Sequence, residues 1–162
     1  MERVDVTTLP DLDDRCAAIR GLGDVLGTED VSINYFELDP GESPALGLHA
    51  HPDQEEVFCV LAGEVTFEFA GIDPGSVPAT VRVDTGEAIR FAPGEYQRAW
   101  NRGEIRVELL AVGAPRSASA DVRRDCPTCG VPTRTDVEVT PSELVTRCGV
   151  CGTETRRVER YG

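Results

Sequence analysis

Two histidines occur in 162 residues, and they stand one residue apart in the stretch LHAHPDQEEVF, Leu48 to Phe58. In an extended strand, residues i and i+2 project to the same face, so His49 and His51 point together. Paired imidazoles grip first-row metal ions, and one carboxylate from a neighbouring strand completes a facial set that leaves coordination positions open. Glu55 and Glu56 both follow at a suitable distance. Alternation sends them to opposite faces, so only one can turn inward. A second constellation lies near the end of the chain. Cys126, Cys129, Cys148 and Cys151 form two CxxC pairs separated by 18 residues. Each pair folds as a tight turn that aims two sulfurs at one point, and four thiolates close a tetrahedral structural zinc site. A redox role for these pairs would need a βαβ context that the surrounding sequence lacks.

The elements that must position these groups read as short strands. From Val31 onward, the apolar runs VSINYFEL, EEVFCVL, EVTFEFA, ATVRV, EAIRFA, QRAWN and IRVELLAVG alternate with the turns DPGESP, LAGE, GIDPGSVP, DTGE, APGE and NRGE. Brief strands at this spacing indicate an all-β, antiparallel sandwich or barrel. Residues 1–30 carry weaker signals: a short helix is expected near Asp11–Ile19, before a GLG break. Ala114–Asp121 (APRSASAD) is small, polar and aperiodic, and reads as a linker. Beyond it, TRTDVEVT, ELVTR and TETRRVER look like the strands of a small second body, residues 122–162. That segment is too short to bury a core of its own, so zinc must supply much of its folding free energy. The barrel, by contrast, is expected to fold without it.

The first motif resembles the cupin family. His49-Ala50-His51, four residues, Glu56, six residues and Gly63 match the first cupin motif, and GEAIRFAPGEYQRAWN (Gly86–Asn101) lies where the second is expected, with Gly86, Gly94 and Asn101 at its small and polar positions. The resemblance covers roughly residues 30–113. It implies a double-stranded β-helix barrel (residues 1–113 with the N-terminal extension), with Glu56 rather than Glu55 as the carboxylate ligand. It also implies a divalent transition metal, Fe, Mn, Ni or Zn, inside the barrel. The sequence departs from the family at Gln97, where a fourth histidine ligand is usual; an amide oxygen ligates more weakly than imidazole. Ala92 replaces a usual proline, and Gly41 stands two residues farther from His49 than the pattern asks. The second body resembles a zinc ribbon.

Composition bounds the partners. Lys+Arg total 16 against 29 Asp+Glu, a net charge of −13, and every basic residue is arginine. An acidic, lysine-free surface reads as a solubility device in strong salt and suggests a halophilic source. The charge is lopsided: residues 1–114 hold 22 acids and 8 arginines, whereas 115–162 hold 7 acids and 8 arginines. Arg123, Arg124, Arg156, Arg157 and Arg160 could meet phosphates, yet the ribbon's near-neutral charge, lowered further by thiolates, argues against nucleic acid. No run approaches the roughly 18 apolar residues of a membrane span. The acidic start MERVDVTTLPDLDD lacks the apolar core of an export signal, so a cytoplasmic protein is expected. Cys16 and Cys59 remain over, Cys59 reading as a small buried hydrophobe. Small cupin barrels cover an open sheet edge between protomers, so a homodimer is expected.

Two functions fit this reading. The first is a metal-dependent enzyme acting on a small molecule in the barrel, of oxygenase or isomerase type as the resemblance allows, with Phe58, Arg90, Tyr96 and Trp100 as pocket candidates. The second is a non-enzymatic ligand- or metal-binding module that docks a protein partner through the ribbon.

Overall fold

A computed structural model describes residues 1–11, 17–71, 77–116, 119–140 and 143–159. Its strands are β1 (Ala18–Gly21), β2 (Ser32–Leu38), β3 (Leu48–Ala50), β4 (Glu55–Ala62), β5 (Glu64–Ala70), β6 (Ala79–Asp84), β7 (Ala88–Phe91), β8 (Tyr96–Trp100), β9 (Val107–Ala114), β10 (Asp121–Asp125), β11 (Pro132–Val139), β12 (Glu143–Cys148) and β13 (Glu154–Glu159), with a 3-10 turn at Val6–Thr8 and a short α-helix α1 at Leu22–Leu26. The strand pairs are antiparallel. One sheet runs β1-β2-β9-β4-β7 and the other β13-β12-β11-β10-β3-β8-β5-β6.

Each apolar run of the sequence becomes a strand for a visible reason. Along β9 buried and half-buried residues alternate without a break, so Val107, Leu109 and Ala111 enter the core while Glu108 and Leu110 face away from it. The same period in β2, β4 and β5 delivers Phe36, Leu38, Phe58, Val60, Val65 and Phe67 to one buried cluster between the sheets. Phe58, Phe67 and Phe91 form its centre, with ring centroids 5.1–6.1 Å apart in tilted or edge-on contacts. Asn101 is a polar pin at the end of this core. It is fully buried, and its amide donates to the carbonyls of Leu38 and Ile105, both at 2.8 Å. Its side-chain oxygen accepts from the Gly103 N–H. Cys59 is only half-buried.

The helix expected near Asp11–Ile19 is corrected. Residues 12–16, with Cys16, lie outside the described residues, and Ala18 and Ile19 belong to strand β1. The β2 edge offers an unpaired ladder and a core position: Ile19 sits opposite Phe36 and packs on the main cluster. A paired edge outweighs the weak helical preference of so short a stretch. The helix forms later, over Leu22–Leu26.

The four-cysteine segment is not hung from the barrel by a loose tether. Gln54 donates to the Pro115 carbonyl at 2.7 Å, and the Arg116 N–H donates to the Asp30 carbonyl at 2.8 Å. Strand β10 then pairs with β3, placing Val122 opposite His49 and Arg123 opposite Leu48. One sheet therefore continues from barrel to ribbon. The approach is close: a Cβ on Gly47 would lie 2.5 Å from the Arg123 carbonyl oxygen. Arg123 also stacks on Tyr96, its guanidinium 3.7 Å from the ring centroid.

Candidate metal centres

Strand β3 lies between β10 and β8, and on β8 the residue opposite His49 is Gln97. His49 and His51 face each other edge-on with ring centroids 5.3 Å apart. Glu56, near the start of β4 in the facing sheet, comes in from across the barrel. Ligand atoms of His49, His51 and Glu56 all fall within 4.8 Å of one another. Glu55 turns the other way, as alternation requires, and pairs with Arg90 at 2.6 Å on the surface. The backbone beneath His51 is held as well, its carbonyl accepting from the Gly94 N–H at 2.9 Å.

The electrostatics of this cluster suit a cation. Burial, followed by repulsion from His51 whenever that ring is protonated, pushes the His49 imidazole down to about 4, which keeps the ring in the neutral form that ligates metals. Burial pushes the Glu56 carboxyl above its ordinary value, although His51 and a hydrogen bond from Gln97 partly offset it. His51 donates Nδ1–H to the Ser119 carbonyl at 2.8 Å, which fixes the tautomer and leaves Nε2 as a lone pair 3.8 Å from the Glu56 carboxylate. Gln97 is 2% exposed. Its amide nitrogen donates both to His49 Nε2 at 3.0 Å and to Glu56 at 2.9 Å, while its buried Oε1 has no partner. One –NH2 group thus stands where a cation would satisfy both acceptors. Turning the amide over would bring the orphaned oxygen to the same point. The donor set fits a divalent ion.

Beside these groups lies a cavity of about 240 Å³, walled mainly by apolar side chains including Phe36, Leu46, Phe58 and Val122. Of the four pocket candidates, Phe58 lines it. Arg90 is held outside by Glu55, Tyr96 packs with Leu48, Ala50 and Ala70, and Trp100 faces a different pocket. Sequence reasoning missed Ser119, Ala120 and Val122, which reach the site from beyond the barrel. Val122 lies in strand β10, but nothing in DVRRD names β3 as its neighbour.

Residues 34–113 match the family described as Cupin domain. The chain carries a cupin domain. Among solved structures, this cupin is similar to an oxalate oxidase in complex with glycolate, at 20% identity and TM-score 0.60, over 75% of this chain and 62% of that one. The chain thus spans less than two thirds of that oxidase's length. It is also similar to a sugar phosphate isomerase from a cupin superfamily, from Silicibacter pomeroyi, at 19% identity and TM-score 0.57, over 96% of this chain and 92% of the other. An uncharacterized conserved protein with a double-stranded beta-helix domain, from Klebsiella pneumoniae, aligns at 20% identity and TM-score 0.58 over 74% of this chain and 95% of its own. At these identities the likeness is one of fold. No curated protein sequence matches the chain.

The four cysteines appended to the cupin form two matching turns. Gly130 and Gly152 follow the second cysteine of each pair with φ of 72° and 73°, and their N–H groups return to the Cys126 and Cys148 carbonyls, both at 2.8 Å. A side chain there would strain the left-handed backbone that turns the two sulfurs inward. The facing sulfurs of Cys126 and Cys151 are 3.5 Å apart, and those of Cys129 and Cys148 3.8 Å. Four sulfurs at about 2.3 Å from one zinc ion stand roughly 3.8 Å apart in a tetrahedron. Cys148 is poised to ligate: hydrogen bonds from the Thr133 hydroxyl and then from backbone N–H groups push its thiol down to about 6. The nearby sulfurs of Cys151 and Cys126 push Cys129 up. A cation among them would favour four thiolates together. These cysteines, with β11 to β13, make a small ribbon, and the sulfur geometry fits structural zinc.

Proposed function

We propose that the cupin holds one divalent transition-metal ion through His49 Nε2, His51 Nε2 and the Glu56 carboxylate, with Gln97 beside it, and that a small molecule binds this ion from the apolar cavity. The observation that carries this reading is the Gln97 amide, which satisfies His49 and Glu56 at once while its own oxygen is left without a partner. A bound ion would supply Lewis acidity and open positions for a substrate or dioxygen. The chain's own part is to hold His49 neutral, fix the His51 tautomer through Ser119, and exclude water with Phe36, Phe58 and Val122.

The cavity narrows the choice of ligand. Its size is below the about 300–1,000 Å³ of drug-sized sites, and its described lining has no cationic side chain. A compact ligand with an apolar body and one chelating group suits it better than a highly charged one. The same lining offers no acid or base besides Glu56 and His49. Proton-shuttling isomerisation needs a base placed on the substrate, so chemistry centred on the ion, of the oxygenase type, is the better fit. The second reading, a binding module without turnover, rests on the same shortage of acid and base groups. Zinc on the four cysteines completes the proposed metal content.

Metal analysis of the purified full chain tests this. We expect zinc plus a second divalent ion, and His49→Ala/His51→Ala should lose the second ion while keeping the zinc. Full retention of both metals by the double variant would refute the barrel site. Dioxygen consumption with small chelating acids then separates enzyme from binding module.

A further inference from the structure

A second pocket, of about 440 Å³, lies at the seam between barrel and ribbon. Three arginines converge on it from three strands: Arg98 of β8, Arg124 of β10 and Arg156 of β13. The lining contains one carboxylate, Glu42, already engaged by the Asp39 N–H at 2.8 Å; Glu68 holds one edge of Arg98 at 2.6 Å. The chain has a net charge of −13 and no lysine, yet three of its 16 arginines meet at this pocket. Two wall residues also carry donors that the protein does not satisfy. Trp100 Nε1 and Arg98 Nε are buried and have no hydrogen-bond partner among the described residues, and leaving such donors unmet is costly. Arg98 further lies 4.6 Å from the centroid of the Trp100 ring. From the ribbon side, Arg124 and Arg156 line this pocket; Arg157 instead pairs with Glu143 and Glu154, and Arg123 stacks on Tyr96.

We propose that the seam pocket binds an oxyanion, the phosphate or carboxylate group of a small molecule, held by Arg98, Arg124 and Arg156. Planar guanidinium forks match such oxygens in pairs. The pocket is separate from the metal cavity but shares a wall with it, since Ala45 and Leu46 line both. Because its arms come from barrel and ribbon alike, an occupant bridges the two.

Trp100 is the sole tryptophan of the chain, so its fluorescence reports this pocket. The full-length, metal-loaded protein is titrated with inorganic phosphate and, separately, acetate, at ionic strength held constant with sodium chloride. A saturable change with either anion is expected, the tighter one naming the chemical class. Arg156→Gln should weaken it roughly tenfold or more, as for loss of one charge-assisted hydrogen bond; Arg156→Lys should restore part of it, and Arg157→Gln should leave it unchanged. The response should persist in His49→Ala/His51→Ala, which separates it from anion binding at the barrel ion. A response that fails to saturate, that chloride reproduces, that survives Arg156→Gln at full strength, or that disappears with the barrel histidines overturns the proposal. So does tight binding of duplex DNA through the same arginines without saturation by phosphate.

Discussion

Replacing Cys126 with serine should damage a site in the other half of the molecule. Cys126 is 1% exposed, and its sulfur is 3.5 Å from that of Cys151. Structural zinc contributes about 10–16 kcal/mol in small four-ligand units, comparable to the roughly 5–15 kcal/mol that holds a whole domain together. The ribbon's own described hydrophobic burial is small, centred on Leu144 and Val145 with the buried cysteines, so a three-thiolate site should leave it unfolded. The consequence then passes through β10. That strand gives β3 its partner over Asp121–Arg123, Ala120 and Val122 wall the metal cavity, and the Ser119 carbonyl holds His51 at 2.8 Å. Loss of a group that orients a ligating histidine typically weakens metal binding about 10–100-fold, or about 1.4–2.8 kcal/mol. The main core, from Phe36 to Ala111, keeps its contacts between β2, β4, β5, β8 and β9, so the barrel should stay folded. Calorimetric titration with Mn²⁺, which favours oxygen and nitrogen donors over thiolates, measures the barrel site, and hydrogen exchange measures the rest. We expect fast exchange in residues 122–159 and at Leu48–Ala50, slow exchange in β9, and Mn²⁺ affinity reduced by one to two orders of magnitude. Unchanged Mn²⁺ affinity with an unfolded tail would refute the coupling, and the barrel would then be independent of its ribbon.

Two further outcomes test the fold. Asn101→Ala strands the Leu38 carbonyl in the core and removes the donor to the part-buried Ile105 carbonyl, and should lower the unfolding free energy by about 1–3 kcal/mol, read from urea midpoints; a loss below about 0.5 kcal/mol would mean that water replaces the amide. Glu37 is held below its ordinary carboxyl value of 4.5, first by the hydrogen bond from Arg20 and further by the charges of Arg20 and Arg106. A depressed carboxyl stabilises the fold above its unfolded value, and that contribution disappears as pH falls through the folded value. The stability gap between wild type and Glu37→Gln should therefore narrow from pH 6 toward pH 3, and a gap independent of pH would remove Glu37 as its source.

Much of this molecule was legible along the chain because strand chemistry repeats every two residues. The runs at Val31, Glu55, Glu64, Ala79, Glu87, Gln97 and Ile105 each became a strand, since alternation alone decides which face is buried. Spacing placed His49 with His51, sent Glu55 and Glu56 to opposite faces, and aimed the two sulfurs of each CxxC turn at one point. These are local relations, fixed by backbone geometry within a few residues. The N-terminal stretch was not legible in the same way, because Ile19 owes its extended form to the β2 edge rather than to its neighbours.

What the chain could not reveal by itself is which distant strands meet. Residues 115–125 are small, polar or charged and read as a spacer followed by ribbon, yet Val122 lies opposite His49 and Ser119 accepts from His51. The family resemblance put Gln97 at a ligand position, but its hydrogen bonds to His49 and Glu56 exist only where β8 passes β3. The convergence of Arg98, Arg124 and Arg156 belongs to three strands as much as 58 positions apart. Hydrogen-bonded pairing between strands carries no local signature, because any extended backbone can offer it to any other. Residue types and spacing therefore determined the candidate ligands, and the order of strands in the sheet decided what surrounds them.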